Sequence, residues 1–336
     1  MKAIGYTQSL PSSDANSLLD IQLPEPTPGP RDLLVEVRAV SVNPVDTKVR
    51  QRAQPADGQY KVLGWDASGV VRAVGSEVSL FKPGDKVWYA GDLTRSGSNA
   101  ELQLVDERIV GAMPQSLDFA HAAALPLTTI TAWELLFDRL GVEEGGGKGQ
   151  RLLVIGAGGG VGSILVQLAR QLTQLTVIGT ASRSETQAWV RELGAHHVID
   201  HSALLAPQLQ ALQLDTVDHV ISLTHTDTYL PQIVEVLRPQ GQLALIDDPA
   251  QLDVMPLKRK SLSLHWELMF TRSLYKTEDM IEQHRLLERV AALVDDGVLK
   301  TTLGEHFGTI NAANLKRAHA VIESGKAKGK IVLEGF

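Results

Sequence analysis

The sequence predicts an α/β protein of two lobes: a β-rich lobe built from the N-terminal part of the chain and a doubly wound parallel sheet built from the middle part. Three observations support this prediction. The chain has 336 residues, which is long for a single hydrophobic core. Short apolar stretches separated by Pro-Gly turns occupy residues 1 to about 125. From about residue 150, strand, glycine turn, helix and strand follow one another.

The N-terminal lobe is predicted from short strands with irregular spacing. The segments LLVEVRAVSV (33–42), ASGVVRAVG (67–75) and DKVWYAG (85–91) are rich in β-branched and aromatic residues. The tail KGKIVLEGF (328–336) has the same character. We therefore expect the tail to be a strand that returns to this lobe.

The middle of the chain alternates strands with helices. The segments RLLVIG (151–156), TVIGTAS (176–182) and QLALID (242–247) contain continuous apolar runs, which are typical of parallel strands covered on both faces. Helical segments such as SILVQLARQL (163–172) lie between them. The predicted boundaries are 1–125 with 300–336 for the β-rich lobe and 126–299 for the doubly wound lobe.

Composition excludes several classes of function. The 39 acidic and 32 basic side chains give a formal net charge of −7, which disfavours nucleic acid as a partner. Because the chain has no cysteine, disulfides, thiolate nucleophiles and cysteine-ligated metal sites are impossible. No apolar run approaches the ~20 residues of a membrane span, and the N-terminus has no signal-peptide core. A soluble cytoplasmic protein with no membrane partner is expected.

The segment VIGAGGGVGSILVQLAR (154–170) predicts a dinucleotide-binding turn, because an apolar strand runs through glycines directly into an amphipathic helix. Two registers of the glycine motif fit. One begins at Gly156 and has Val161 in its third position, and the other begins at Ala157 and ends at Gly162. The second is preferred because Gly162 opens a helix whose N-terminal amides can hold a phosphate. A glycine-rich turn without a ligand is the alternative. The predicted cofactor-binding residues of the turn are Gly158, Gly159, Gly160, Val161 and Gly162.

The end of the next strand, TVIGTASRSE (176–185), favours NADPH over NADH. An acidic residue at this strand end would bind the ribose 2′-hydroxyl of NAD. Here the strand ends with Ser182 and Arg183, and no carboxylate precedes Glu185. A guanidinium and a hydroxyl can bind a 2′-phosphate. The alternative is that Arg183 is merely solvated on the first turn of a helix.

With these segments the chain resembles the medium-chain dehydrogenase/reductase superfamily, in particular its quinone-oxidoreductase-like branch, often labelled zinc-type alcohol dehydrogenase-like. The resemblance covers nearly the whole chain. It implies a GroES-like catalytic domain, a Rossmann domain, an active site in the cleft between them, and a homodimer. The matching motifs are VNPVDTKVR (42–50), GWDASGVV (64–71), PGDKV (83–87), AAALPLTTITAWELL (122–136), GGGVGS (158–163), TASRSET (180–186), LGAHHVIDH (193–201) and GKIVLEG (329–335).

The resemblance also predicts that no zinc is bound at the family's ligand positions. Zinc-using relatives hold the catalytic zinc with cysteine and histidine at places that correspond to Asn43, Trp65 and Leu127 here. None of these three side chains is a zinc ligand. The segment 87–101 likewise lacks the four cysteines that hold a structural zinc in those relatives.

Without a metal to polarise an alcohol oxygen, reduction of a quinone or an α,β-unsaturated carbonyl is the easier reaction. A hydrogen-bond donor such as Asn43, or a lysine, is expected to stabilise the developing oxyanion. The candidate catalytic residues are Asn43, Asp46, Lys48, Tyr60, Trp65 and Asp66. The further cofactor-binding residues, mostly implied by family position, are Thr128, Thr131, His201, Leu223, Thr224, His225, Asp247, Phe270 and Lys330.

Several alternatives stay open at this stage. Asp46 could form a buried ion pair with a basic neighbour, Lys48 could be solvated, and Tyr60 could cap a loop. The chain could instead reduce an enoyl thioester or a 2-alkenal, or bind NADPH without turnover. The sequence does not choose among acceptors, because their selection depends on pocket shape and on loop residues that have no motif.

Overall fold

The computed structural model describes residues 1–336. The chain forms two compact units: Met1–Ile130 together with Phe270–Phe336, and Thr131–Met269. The predicted α/β fold class is confirmed, since one unit contains a mixed sheet and the other a parallel sheet. None of the helices has the length and apolar character needed to cross a bilayer.

The elements are numbered in chain order. The strands are β1 (Lys2–Tyr6), β2 (Leu19–Gln22), β3 (Asp32–Val42), β4 (Lys61–Val62), β5 (Ala67–Val74), β6 (Lys86–Tyr89), β7 (Leu102–Asp106), β8 (Val110–Ala112), β9 (Arg151–Ile155), β10 (Thr176–Thr180), β11 (His197–Ile199), β12 (Val217–Ser222), β13 (Leu237–Leu245), β14 (Ser263–Trp266), β15 (Leu303–His306) and β16 (Lys330–Glu334). The α-helices are α1 (Pro44–Arg52), α2 (Phe119–Ala123), α3 (Pro126–Trp133), α4 (Gly160–Leu172), α5 (Ser184–Glu192), α6 (Leu205–Ala211), α7 (Thr226–Val236), α8 (Thr271–Tyr275), α9 (Glu282–Asp295) and α10 (Ala312–Glu323). Two 3-10 helices (Glu107–Ile109 and Met255–Lys260) and a π-helix (Glu134–Arg139) complete the set.

The first unit is built around a seven-stranded mixed sheet in the order β15-β16-β3-β5-β6-β8, with β7 also paired to β3. Along β3, Leu33, Val35 and Val37 are buried at alternate positions, which is the period of a strand with one face on the core. The tail strand β16 pairs antiparallel with β3, from Ile331 opposite Val42 onwards. The C-terminal residues therefore belong to the β-rich unit.

The boundary predicted near residue 299 differs from the division at Met269 in the structure. Helix α9 belongs to the first unit because it docks on β8. The His284 ring bonds the Val110 carbonyl at 2.6 Å, and Glu288 accepts the Ala112 N–H at 2.5 Å. The sequence predicted that this segment is helical, but it did not predict that the helix packs against β8.

The second unit contains a six-stranded parallel sheet in the order β11-β10-β9-β12-β13-β14. Strands β9, β10 and β11 are added in one direction across the sheet, and β12, β13 and β14 are added in the other direction, starting beside β9. In doubly wound sheets, the carboxyl ends of the strands at such a switch point form a ligand-binding edge. Strand register places Ile155 beside Ser222, and Ser222 beside Leu245. The loops that follow β9, β12 and β13 therefore start at the same edge of the sheet.

Candidate active site

A buried polar network in the first unit is centred on Asp66, whose side chain is fully enclosed. Its Oδ2 accepts hydrogen bonds from Ser41 Oγ at 2.7 Å and from Asn43 Nδ2 at 3.1 Å. The same oxygen pairs with Lys330 Nζ at 3.1 Å. Oδ1 accepts the Leu127 N–H at 3.1 Å. Three predicted site residues, Asn43, Asp66 and Lys330, are thus brought together from three distant parts of the chain.

Asn43 joins this network to the start of α1. It is the N-cap of the helix, Pro44 stands at the first helical position, and Asp46 completes a capping box by accepting the Asn43 N–H at 2.8 Å. Lys330 Nζ donates to Asn43 Oδ1. Because the Nδ2 group donates to Asp66, both ends of the Asn43 amide are engaged inside the unit. This geometry differs from the expected direct donation by Asn43 to an oxyanion, because the amide is bonded on both sides within the unit.

Burial perturbs the ionisation of all three charged groups in the network. Burial raises the pKa of Asp46 to about 7, against the opposing effects of the Asn43 N–H and the Lys330 charge. Burial also raises the pKa of Asp66, although Lys330 and three hydrogen bonds favour its ionised form. Burial lowers the pKa of Lys330, and Asp66 counteracts this. Lys330 is therefore the counterion on which the buried carboxylates depend.

The other catalytic candidates of the first unit lie in different environments. Trp65 is buried, and its Nε1 donates to the Asp92 carbonyl at 3.2 Å. Tyr60 precedes β4 and is 46% exposed, so it stands apart from the buried network. Lys48 is partly buried on α1. The structure therefore does not gather the six candidates into one cluster.

The predicted cofactor residues around α3 and α8 are buried. Thr128 donates its hydroxyl to the Leu125 carbonyl at 3.1 Å, an interaction within the helix. Thr131 lies one turn further along α3 and belongs to the second unit. Phe270 is the N-cap of α8. The Thr128 contact stabilises the start of its own helix.

The positions expected for zinc ligands do not fit a zinc ion. The Asn43 amide is engaged by Lys330 and Asp66, the Trp65 indole by a backbone carbonyl, and Leu127 carries an apolar side chain. No group of three or more histidine, aspartate or glutamate side chains in the structure is arranged to hold a metal ion.

The glycine turn of the second unit has the geometry that a dinucleotide requires. Gly156 has a φ of +84°, a left-handed conformation that favours glycine. A Cβ on Gly162 would lie 2.5 Å from the Ala157 backbone, so only glycine permits this close approach of helix and strand. Helix α4 begins at Gly160, and no side chain caps its N-terminus. Its first amides are therefore available to a phosphate. The preferred register included Gly162 but expected it to open the helix, whereas α4 begins two residues earlier, at Gly160. That register also left out Gly156, whose left-handed turn belongs to the other register.

The ends of β10 and β11 form a second part of this site. Ser182 and Arg183 are exposed, and Arg183 is the N-cap of α5. The buried Thr180 accepts the Gly156 N–H at 3.1 Å, and its Oγ1 lies 3.1 Å from His201 Nδ1. Thr180 thus connects the glycine turn to His201. Sequence reasoning assigned no role to Thr180, because both contacts form only when the two strand ends and the glycine turn come together.

The ends of β12 and β13 hold the remaining candidates. Leu223 donates its N–H to the Ile155 carbonyl at 3.1 Å. His225 adopts a left-handed conformation at the start of α7, with Thr224 Oγ1 2.6 Å from its Nδ1. Asp247 accepts the N–H and the hydroxyl of Thr226, at 2.8 and 2.5 Å. Asp247 therefore fixes the start of α7, and Thr226 is a further residue that sequence reasoning missed.

Comparisons with known proteins agree with this architecture. Residues 29–115 match the family model of the alcohol dehydrogenase GroES-like domain, and residues 193–333 match that of zinc-binding dehydrogenases. A zinc-type alcohol dehydrogenase-like protein of Staphylococcus epidermidis is 38% identical over 336 residues, which cover 99% of each chain. The chain belongs to the medium-chain dehydrogenase/reductase superfamily. As a member of this superfamily it is an oxidoreductase.

Other medium-chain dehydrogenases/reductases resemble the chain over most of its length. A protein of Rhizobium etli CFN 42, assigned to the zinc-dependent alcohol dehydrogenases, is 57% identical with a TM-score of 0.96, covering 100% of this chain and 98% of that one. Human mitochondrial NAD(P)H oxidoreductase RTN4IP1 is 30% identical, covering 90% of this chain and 82% of the human protein. Escherichia coli quinone oxidoreductase, solved with NADPH, shares the fold with a TM-score of 0.85 at 23% identity, covering 99% of this chain and 100% of that one.

Proposed function

We propose that the chain is an NADPH-dependent reductase that transfers hydride to a quinone or an α,β-unsaturated carbonyl without zinc. The observation that carries this proposal is the Asn43–Asp66–Lys330 network, which fills the region expected for zinc with groups already bonded to one another. Oxidation of an alcohol normally draws on a Lewis acid, whereas these acceptors take hydride readily. Similarity to a quinone oxidoreductase and to an NAD(P)H oxidoreductase supports the same reaction class.

The residues of the second unit fit NADPH. The glycine turn lets the backbone approach a pyrophosphate, and the uncapped N-terminus of α4 supplies amide donors for it. The exposed Arg183 and Ser182 suit a 2′-phosphate, since they offer a guanidinium and a hydroxyl. When bound, NADPH supplies a hydride, and the acceptor takes up one proton in addition. The chain's own task is to hold the coenzyme in place and to exclude water from the acceptor.

Coenzyme preference tests this proposal. NADPH should bind more tightly than NADH by about 1.5–3 kcal/mol, or roughly 10- to 150-fold, because only NADPH carries the group that Arg183 would pair with. Replacing Arg183 with Ala should remove most of this preference and hardly change NADH binding. Fluorescence titration of both coenzymes into the wild type and Arg183→Ala measures the difference.

Arg191→Ala is a matched control, since Arg191 is an exposed arginine in the last turn of the same helix. It should leave both affinities unchanged. Equal weakening of NADPH and NADH by Arg183→Ala would assign Arg183 to the fold or to the shared pyrophosphate site. A wild type that prefers NADH would overturn the coenzyme assignment.

A further inference from the structure

His201 is connected to the glycine turn by a single hydroxyl group. Thr180 Oγ1 accepts the Gly156 N–H at 3.1 Å and lies 3.1 Å from His201 Nδ1. Thr180 is fully buried, so the inner nitrogen of the imidazole has a fixed partner. His201 itself is only partly buried, and its ring meets the Tyr229 ring edge-on at 6.1 Å between centroids. One ring nitrogen is thus held by the protein, while the ring remains accessible at the strand end.

The same strand ends place His201 beside the residues that suit a 2′-phosphate. β10 and β11 are adjacent and parallel, with Thr180 opposite Ile199. The Ala181 N–H continues this pairing by donating to the Ile199 carbonyl at 3.0 Å. Ser182 and Arg183 follow the first strand, and His201 follows the second. The two loops therefore leave the sheet side by side.

We propose that His201 is a specificity-determining residue that takes up a proton when NADPH binds, so that an imidazolium joins Arg183 on the 2′-phosphate. This inference rests on the proposed function, since it assumes that NADPH is the coenzyme. It adds a pH dependence to coenzyme choice: NADPH is favoured most where His201 is most readily protonated. NADH, which has a hydroxyl at the same position, gains nothing from the added charge.

The hydrogen bond to Thr180 is compatible with both protonation states. In the neutral ring, the Thr180 hydroxyl donates to Nδ1 while its oxygen accepts the Gly156 N–H. In the imidazolium, Nδ1–H donates to the same oxygen, which has two lone pairs. The added proton therefore lies on Nδ1, the inner nitrogen, and the Thr180 hydroxyl hydrogen rotates away from it. The imidazolium charge is shared with the Nε2–H on the accessible side of the ring.

The groups around the His201 ring favour its neutral form in the free protein. Burial lowers the pKa of His201, and His225 from the start of α7 lowers it further, while Asp200 and a hydrogen bond to the Thr180 backbone raise it. The Asp200 carboxylate is turned towards Ser202, whose N–H and hydroxyl it accepts at 2.8 and 2.7 Å. Burial and Asp200 raise the pKa of Tyr229, which stays neutral. A phosphate dianion would be the largest new charge beside the ring, and a nearby opposite charge raises the pKa of a histidine.

Proton uptake on coenzyme binding tests the inference directly. Calorimetric titrations at pH 7.5 in two buffers of different ionisation enthalpy report the protons taken up per molecule bound. At this pH the 2′-phosphate, with a pKa of about 6, is almost wholly dianionic and has no proton to take up of its own. We expect proton uptake per site to be larger by at least about 0.2 proton when NADPH binds than when NADH binds. The NADPH/NADH affinity ratio should also be at least about threefold larger at pH 6.5 than at pH 8.

His201→Gln keeps a polar partner for Thr180 but cannot titrate, so it should abolish the extra proton uptake and flatten the pH dependence of the ratio. His197→Gln, which removes the histidine at the other end of β11, should behave as the wild type. A wild type that prefers NADPH but shows equal proton uptake for both coenzymes would overturn this inference and leave the proposed function standing. A wild type without any NADPH preference between pH 6.5 and 8 would overturn both.

Discussion

Replacing Lys330 with Met should lower the free energy of unfolding by about 3–5 kcal/mol, because it leaves the buried Asp66 carboxylate without its counterion. Asp66 would retain the Ser41, Asn43 and Leu127 donors but would have to take up a proton to remain buried. The Asn43 carbonyl oxygen would also lose a donor. Urea denaturation of the two proteins at neutral pH measures the loss.

A double-mutant cycle separates the ion pair from packing. Lys330→Met with Asp66→Asn removes both charges, and the double variant should be more stable than Lys330→Met alone, with a coupling energy of about 0.5–3 kcal/mol. Lys258→Met, at an exposed lysine, controls for the substitution itself and should change stability by less than about 0.5 kcal/mol. Additive effects of the two network substitutions would contradict the role of Lys330 as counterion.

Acidification should destabilise the protein through His319. This residue lies on α10 with no exposed surface, and neither ring nitrogen has a hydrogen-bond partner. Burial, with a smaller effect of Arg50, lowers its pKa from 6.5 to about 3. Since the folded state holds the ring neutral, its contribution to stability is fully present above pH 6.5 and is lost as the pH falls towards 3. The loss at pH 5 is about 2 kcal/mol.

His319→Leu isolates this contribution, because leucine has a similar volume and does not titrate. Its stability relative to the wild type should rise by about 1.4 kcal/mol for each pH unit below 6.5. Urea denaturation at pH 7.5, 6.0 and 5.0 gives the difference at each pH. A constant difference between the two proteins across this range would mean that His319 is not buried in its neutral form.

The sequence predicted the fold well where the signals are local. The glycine turn, the strands before and after it (β9 and β10) and the amphipathic helix α4 all follow from periodicity and turn chemistry within about 20 residues. The π-helix Glu134–Arg139 has no comparable signal and was missed. The place of α9 in the first unit depends on the contact between His284 and Val110, which are 174 residues apart in the chain.

The sequence predicted which residues belong to the candidate site better than it predicted what those residues do. Motif position selected Asn43, Asp66 and Lys330, but spacing along the chain cannot reveal a network whose members Asn43 and Lys330 are 287 residues apart. Asn43 was expected to donate to an oxyanion, whereas both ends of its amide are engaged within the protein. Thr180 was missed because its function depends on two hydrogen bonds that only the folded strand ends create.

Turnover by metal-depleted protein tests the central proposal most directly. Purified protein would be analysed for zinc and then assayed before and after treatment with a chelator. Each assay would contain NADPH or NADH and one of a panel of quinones, enones, 2-alkenals, enoyl thioesters, aldehydes and alcohols, with coenzyme oxidation or reduction followed by absorbance. We expect a zinc content far below one per chain, NADPH consumption with a quinone or enone, and a rate that the chelator leaves unchanged. One tightly bound zinc per chain with chelator-sensitive alcohol oxidation would contradict the proposal, as would NADPH binding without turnover of any acceptor.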